Sequence, residues 1–324
     1  MNIFTQYKYR LLVTTLSFFI LSACVGGSTP EEVSPPMGSL VLAITDAPID
    51  GASNVVVKFT GVEIKPASGE SIHFDFAEKD IDLLALQGGG SEIILSNVTL
   101  EAGQYNWIRL KVIAEKNEFD SYLQEEVDGQ GNPGDQISLW IPSGSETGLK
   151  LNHSFVVAVG NITDFTIDFN LRKSITDPVG QPGNLILKPS LRIVDNNKVG
   201  EIAGTVEAAM LSNIVNDTET CSDNSAVYVF EAVDLATNTI VDDIDGADDP
   251  IATAPVEMAQ DGTYQYSVAF LSEGFYTIAF TCNAGDDVAD EDNTDVEFLG
   301  TITVEVVADT TTEHNFIAEV TPTQ

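Results

Sequence analysis

Along residues 164–172 apolar and polar side chains alternate. Phe165, Ile167, Phe169 and Leu171 fall on one side, and Thr166, Asp168, Asn170 and Arg172 on the other. A period of two predicts a strand, because successive side chains leave opposite faces of a pleated backbone. Residues 105–114 repeat the pattern with Ile108, Leu110, Val112 and Ala114. Val55, Val57 and Phe59 share a face, whereas Val62 and Ile64 fall on the opposite parity. Gly61 sits at the change of phase and predicts a bulge that restores burial. Further strands are expected at residues 40–45, 72–76, 81–86, 136–141, 154–159 and 186–194. Turn signals separate them: Pro48-Ile49-Asp50-Gly51, Gly88-Gly89-Gly90, Glu101-Ala102-Gly103 and Asp128-Gly129. No amphipathic pattern longer than about two helical turns occurs. The expectation is an antiparallel β-sandwich.

The C-terminal part repeats the style. Tyr264, Tyr266, Val268 and Phe270 alternate with polar residues, Tyr276, Ile278, Phe280 and Cys282 line one face, and Ile302, Val304 and Val306 form another strand. Residues 262–280, with Ser272-Glu273-Gly274 between the two runs, read as a hairpin. The phase places Cys282 inward. Val, Ile, Thr, Phe and Tyr dominate the apolar positions of a chain that is 43% hydrophobic, which favours strands. The polar stretch 195–200 divides the chain, so the predicted fold class is all-β: two antiparallel β-sandwich domains, at 38–196 and 199–324.

The first residues follow a different pattern. Lys8 and Arg10 precede an apolar run from Leu11 to Leu21, too short for the roughly 20 residues a membrane-spanning helix needs. Leu21-Ser22-Ala23-Cys24 resembles the lipobox of bacterial lipoproteins. The resemblance implies a signal peptide at 1–23, a membrane anchor of lipid on Cys24, and, with Val25 rather than aspartate next, the outer membrane as destination. Several acyl chains make a stable anchor. Residues 24–37, rich in Gly, Ser, Pro and Glu, are expected to be a flexible tether.

Charge sharpens this picture. The chain has 50 acidic and 14 basic residues, and cleavage at the lipobox would leave 12 basic residues and a net charge of −38. Residues 38–198 hold all 12 of those against 22 acids, whereas 199–324 hold 26 acids and no Lys or Arg. A field this negative argues against nucleic acid and anionic lipid headgroups as direct partners. Lipidation of Cys24 would leave Cys221 and Cys282, which an oxidising exterior would join in a disulfide.

Three segments resemble, in order and spacing, the bacterial lipoprotein family of domain of unknown function 4382. They are Gly38-Ser39-Leu40-Val41-Leu42-Ala43-Ile44-Thr45-Asp46-Ala47-Pro48, Ile81-Asp82-Leu83-Leu84-Ala85-Leu86-Gln87-Gly88, and Ala102-Gly103-Gln104-Tyr105-Asn106-Trp107-Ile108-Arg109-Leu110. The resemblance implies a β-rich envelope domain and no reaction. Gly204-Thr205-Val206, Ala226-Val227-Tyr228-Val229-Phe230, Asp261-Gly262-Thr263-Tyr264 and Glu273-Gly274-Phe275-Tyr276-Thr277-Ile278 resemble carboxypeptidase-regulatory or Cna-B-like domains, which are prealbumin-like sandwiches. Those domains are usually non-catalytic spacers or adhesive modules. The Lys–Asn crosslink of some Cna-B domains needs a lysine that residues 199–324 lack.

Catalytic chemistry finds little footing. His73, His153 and His314 are far apart in strand-like contexts, and no nucleophile elbow, P-loop or H-E-x-x-H motif occurs. The expectation is therefore a non-enzymatic envelope lipoprotein that binds or scaffolds. Two acidic runs suggest calcium, since hard cations take six to eight oxygens. The candidate ligands are Asp242, Asp243, Asp245 and Asp248 in one run and Asp286, Asp287, Asp290 and Asp292 in the other. The bland reading of these runs is a solvated, salt-adapted surface. Asp46 is expected to bond nearby backbone N–H groups in a turn, or else to share a site with Asp50 or Asp82. Expected partners are the membrane, through the lipid, and an envelope protein or glycan. A glycan- or substrate-binding adhesion role is the alternative, and Trp107 and Trp140 are the tryptophans available for it. A hydrolase built on paired carboxylates ranks below both.

Overall fold

The computed structural model describes residues 34–318 except 48, 50, 128–130, 133, 143–146, 177, 179–182, 212–213, 216–218, 222–224, 233–234, 236–249 and 288–295. The all-β sandwich fold forms. The first part contains β1 (Met37–Ala47), β2 (Ala52–Pro66), β3 (Ile72–Asp82), β4 (Glu92–Glu101), β5 (Gly103–Ile113), β6 (Tyr122–Glu125) and β7 (Gln136–Trp140). It continues with β8 (Leu149–Leu151), β9 (Phe155–Val157), β10 (Ile162–Asn170), a one-turn helix α1 (Leu171–Ser174), β11 (Ile175–Thr176), β12 (Asn184–Leu187) and β13 (Leu191–Asp195).

Two sheets enclose its core. One runs β13–β10–β1–β4, the other β11–β12–β7–β6–β2–β5–β8, with β3 also paired to β2 and β9 to β5. Leu40, Leu42 and Ile44 of β1 and Ile167 and Phe169 of β10 face Val57, Phe59 and Ile64 of β2 across an interior where all are fully buried. Phe59 meets Phe169 edge-on at 6.3 Å between ring centroids. Burying each such side chain contributes roughly 1.5–3 kcal/mol, and Phe59→Ala would cost about 3–5 kcal/mol once its cavity is counted. The bulge expected at Gly61 is present: pairing slips between Phe59 and Gly61 on both neighbouring strands. Val55, Val57, Phe59, Val62 and Ile64 all stay inside as a result. A Cβ on Gly61 would press against the Phe74 carbonyl oxygen at 2.7 Å.

Several sequence expectations are corrected. The segments 72–76 and 81–86 are not two strands. β3 runs unbroken to Asp82 along the long β2, and Leu84–Leu86 forms a 3-10 turn. Residues 186–194 are not one strand, because Pro189 has no N–H to give a ladder and the chain changes sheet between β12 and β13. β4 was not expected. A bulge opposite Val41 puts Asn97 at φ 53° and scrambles the period-two signal. Most pairings are antiparallel, as expected, but β1–β10 and β7–β12 are parallel.

The second part contains β14 (Val199–Val206), a one-turn helix α2 (Ala208–Leu211), β15 (Ile214–Val215), β16 (Glu219–Thr220), β17 (Ala226–Glu231) and β18 (Ala252–Pro255). β19 (Glu257–Met258), β20 (Tyr264–Ser272), β21 (Gly274–Thr281), β22 (Phe298–Val306) and β23 (Thr311–Glu313) complete it. Sheets β19–β20–β14–β23 and β18–β17–β21–β22 enclose Ile202, Val268, Leu271, Val229, Ile278 and Phe280. Cys221 and Cys282 form a disulfide across a sequence separation of 61, with Cα atoms 4.6 Å apart. The hairpin expected at 262–280 is absent. β20 and β21 lie in opposite sheets, and the chain crosses the sandwich at Glu273, whose N–H donates to the Lys198 carbonyl at 2.9 Å. The described residues from Pro36 onward cluster into one compact unit.

Candidate binding surfaces

The outer face of the β13–β10–β1–β4 sheet is covered over part of its length, while Ile93 and Ile162 on the same face stay exposed. Ala43, Thr45, Thr166 and Asp168 on that face are buried. Residues 252–255 of β18 and 267–270 of β20 line a narrow gap of about 30 Å³ with Thr45, Asp46, Asp168 and Arg192. The two sandwiches therefore share a packed seam. Arg192 Nε donates to Asp168 Oδ2 at 2.6 Å, and Nη2 lies 2.5 Å from the same oxygen. Burial pushes the Asp168 carboxyl above its ordinary range, against the pull of Arg192.

Arg172 reaches across the same seam. It leaves α1 and donates from Nη1 to Tyr228 Oη at 2.5 Å, and Tyr228 Oη donates to Asp287 Oδ2 at 2.5 Å. Arg172 Nη1 and Asp287 Oδ2 are 3.6 Å apart, with side chains 5% and 1% exposed. The guanidinium also lies 5.5 Å from the Tyr228 ring centre. Sequence reasoning did not single out Arg172 or Tyr228 as a pair. The available signal was the retention of Arg109, Arg172 and Arg192 in a chain dominated by acids. Each of the three meets a carboxylate, as suits a side chain that keeps its charge when buried.

The outer face of the nine-stranded sheet is different. Trp107 stands on it, opposite in phase to the buried Ile108, and is half-buried. Arg109 Cζ lies 5.0 Å and Lys150 Nζ 4.5 Å from the Trp107 ring centre. Lys65 is the cross-strand partner of Trp107. Arg109 donates to Glu63 Oε2 at 2.6 Å, and Lys111 to Asp75 Oδ1 at 2.7 Å, which holds the Asp75 carboxyl below its ordinary value. Lys65 Nζ donates to the Gly69 carbonyl at 2.5 Å. Trp140 carries Lys116 Nζ 5.0 Å from its ring centre. A separate cleft of about 810 Å³ runs over the β19–β20–β14–β23 face, between Glu201, Glu257, Glu313 and the Leu84–Gly88 stretch.

The predicted site residues fall as follows. Cys221 and Cys282 are joined, and Cys24 lies outside the described residues. So do Asp242, Asp243, Asp245, Asp248, Asp290 and Asp292. Asp286 ends a 3-10 turn, and Asp287 is buried on Tyr228. Asp50 also lies outside the described residues. Asp82 accepts from Asn54 Nδ2 at 2.6 Å and from the Val55 N–H at 3.1 Å, while Asp46 lines the seam. The histidines stay apart: His73 is 3.9 Å from Glu63, His153 is exposed, and His314 meets Phe316 edge-on at 4.8 Å. Among the described residues no three His, Cys, Asp or Glu side chains converge as a metal would need, and no helix is long and apolar enough to cross a membrane.

The class these features define is an all-β chain of two packed sandwiches. Residues 37–189 match the family model described as domain of unknown function DUF4382. No curated protein matches. Among solved structures, a leucine-rich repeat protein from Bacteroides thetaiotaomicron is 13% identical at TM-score 0.20, covering 88% of this chain and 26% of its own length. The Bacillus anthracis TIE protein is 10% identical at TM-score 0.18, covering 86% and 34%. This chain thus spans about a quarter and a third of those two proteins. GBS52, the minor pilin of Streptococcus agalactiae, is 10% identical at TM-score 0.17, covering 88% and 100%.

Proposed function

We propose that this chain is a non-catalytic lipoprotein of the outer membrane, anchored through Cys24, that presents two β-sandwiches as one body for binding or adhesion. The observation that carries the reading is the packed seam. Arg172, Tyr228 and Asp287 link the sandwiches through buried, charge-assisted hydrogen bonds, so they travel together at the end of the tether. The lipobox Leu21-Ser22-Ala23-Cys24 and the family match over residues 37–189 support it. The second sandwich, in this reading, is a prealbumin-like spacer whose acidic runs take calcium weakly. Metabolic labelling with an alkyne fatty acid, on the full chain and on Cys24→Ser, tests the anchor. Label in the parent and none in the variant is expected, with the parent in the outer-membrane fraction; equal label or a soluble parent would overturn the reading.

A further inference from the structure

We propose that the outer face of the nine-stranded sheet around Trp107 binds an anionic polysaccharide. The proposal rests on the envelope-binding reading above and names its ligand class and its site.

Acids outnumber bases by 50 to 14 in this chain, so a cation without a carboxylate is unusual. Four lysines of the first sandwich follow that expectation: Lys58 sits among Glu78, Asp80 and Asp120, Lys79 on Glu92, Lys111 on Asp75 and Lys198 on Asp195. Lys65 and Lys150 do not. Among the described residues neither has a carboxylate within ion-pair distance, and they flank one tryptophan. Lys150 Nζ lies 4.5 Å from the Trp107 ring centre, and Lys65 is its cross-strand partner. Glu63, the carboxylate beside them, is engaged by Arg109 at 2.6 Å. The local balance is thus positive within a strongly negative molecule.

Screening makes that local balance the one a ligand reads, since charges beyond roughly 8 Å are largely masked at physiological ionic strength. A bilayer or a nucleic-acid duplex presents charge over a footprint wider than the patch and would meet the surrounding carboxylates. A flexible polysaccharide can engage the patch alone. Its carboxylate or sulfate groups would draw Lys65 and Lys150 into charge-assisted hydrogen bonds, which are stronger than an exposed cation–π contact. The part of the indole that Lys150 leaves, with Arg109 still against the ring, offers an apolar platform to the C–H face of a pyranose ring.

Trp107 and Trp140 are the chain's only tryptophans, so Trp140→Phe leaves Trp107 as the sole indole reporter. The chain carrying Trp140→Phe and Cys24→Ser, which lacks the acyl anchor and needs no detergent, is titrated with polygalacturonate, dextran sulfate, neutral dextran, poly-glutamate and vesicles of phosphatidylglycerol. A saturable emission shift with both anionic polysaccharides, and none with the other three, is expected. Lys65→Glu with Lys150→Glu should weaken binding at least about tenfold without unfolding the sheet. No response to either polysaccharide, unchanged affinity in the double variant, or equal binding of poly-glutamate or vesicles would overturn the proposal. Fatty-acid labelling of Cys24 and outer-membrane fractionation would stand in each of those cases, so a failure here is separable from failure of the lipoprotein reading.

Discussion

Arg172→Met tests the seam that joins the two sandwiches. In the parent the Arg172 and Asp287 charges lie 3.6 Å apart with almost no exposure. At an effective dielectric of about 20 their attraction is roughly 4–5 kcal/mol, and the cost of removing two charges from water is of similar size. The intact pair therefore contributes little net stability. Removing one partner is another matter, because the carboxylate of Asp287 stays buried without its cation. That costs about 3–5 kcal/mol, or a factor of about 150 to 5,000 in the coupling between the sandwiches. Replacing both charges, as Arg172→Met with Asp287→Leu, should recover most of the loss. Guanidinium denaturation of the protein reads this directly. Trp107 and Trp140 report the first sandwich by fluorescence, and far-UV circular dichroism reports both. The two signals should coincide in the parent, separate in Arg172→Met, and move back together in the double variant. Coincident, unshifted transitions in Arg172→Met, or a double variant no better than the single, would refute the reasoning.

Replacing both Cys221 and Cys282 by Ser should destabilise the second sandwich by roughly 4 kcal/mol, the entropy of a loop of 61 residues, seen as an earlier dichroism transition with the tryptophan transition little changed. Burial lowers the pKa of His314 from its ordinary value near 6.5, so the unfolded chain takes up the proton first. Stability should be flat above that pH and fall as pH drops below it, levelling at the folded-state pKa. Melting curves between about pH 7.5 and 5.5 should show less of this slope in His314→Gln. A Cβ at Gly204 would strike the His314 carbonyl oxygen where β14 and β23 run closest, so Gly204→Ala should lower the melting temperature through about 1–3 kcal/mol of strain. On the proposed calcium reading, millimolar calcium should raise the melting temperature of the chain, as binding to the folded state alone requires.

The alternation in β5 and β10 and the phase change at Gly61 were legible in the chain because one face of each strand must enter a core. The inward aim of Cys282 was legible for the same reason. Burial fixes parity, and parity is local. Pairing is not. Tyr266 and Val268 of β20 and Ile278 and Phe280 of β21 both point inward, but into one core from opposite sheets. A hairpin would give the same alternation, so the sequence reads alike for either arrangement. β4 escaped notice because its bulge breaks the period at Asn97.

The functional surfaces divide in the same way. Composition and order along the chain determined the acidic excess and the all-β class and carry the resemblance to a lipobox, because each depends on which residues occur and how they are spaced. Tertiary structure alone decided which cation meets which acid. Arg172, Tyr228 and Asp287 lie 56 and 59 residues apart in turn, and Lys65, Trp107 and Lys150 come from three strands. A pairwise charge or ring contact acts over a few ångströms, and only the folded chain brings these groups that close.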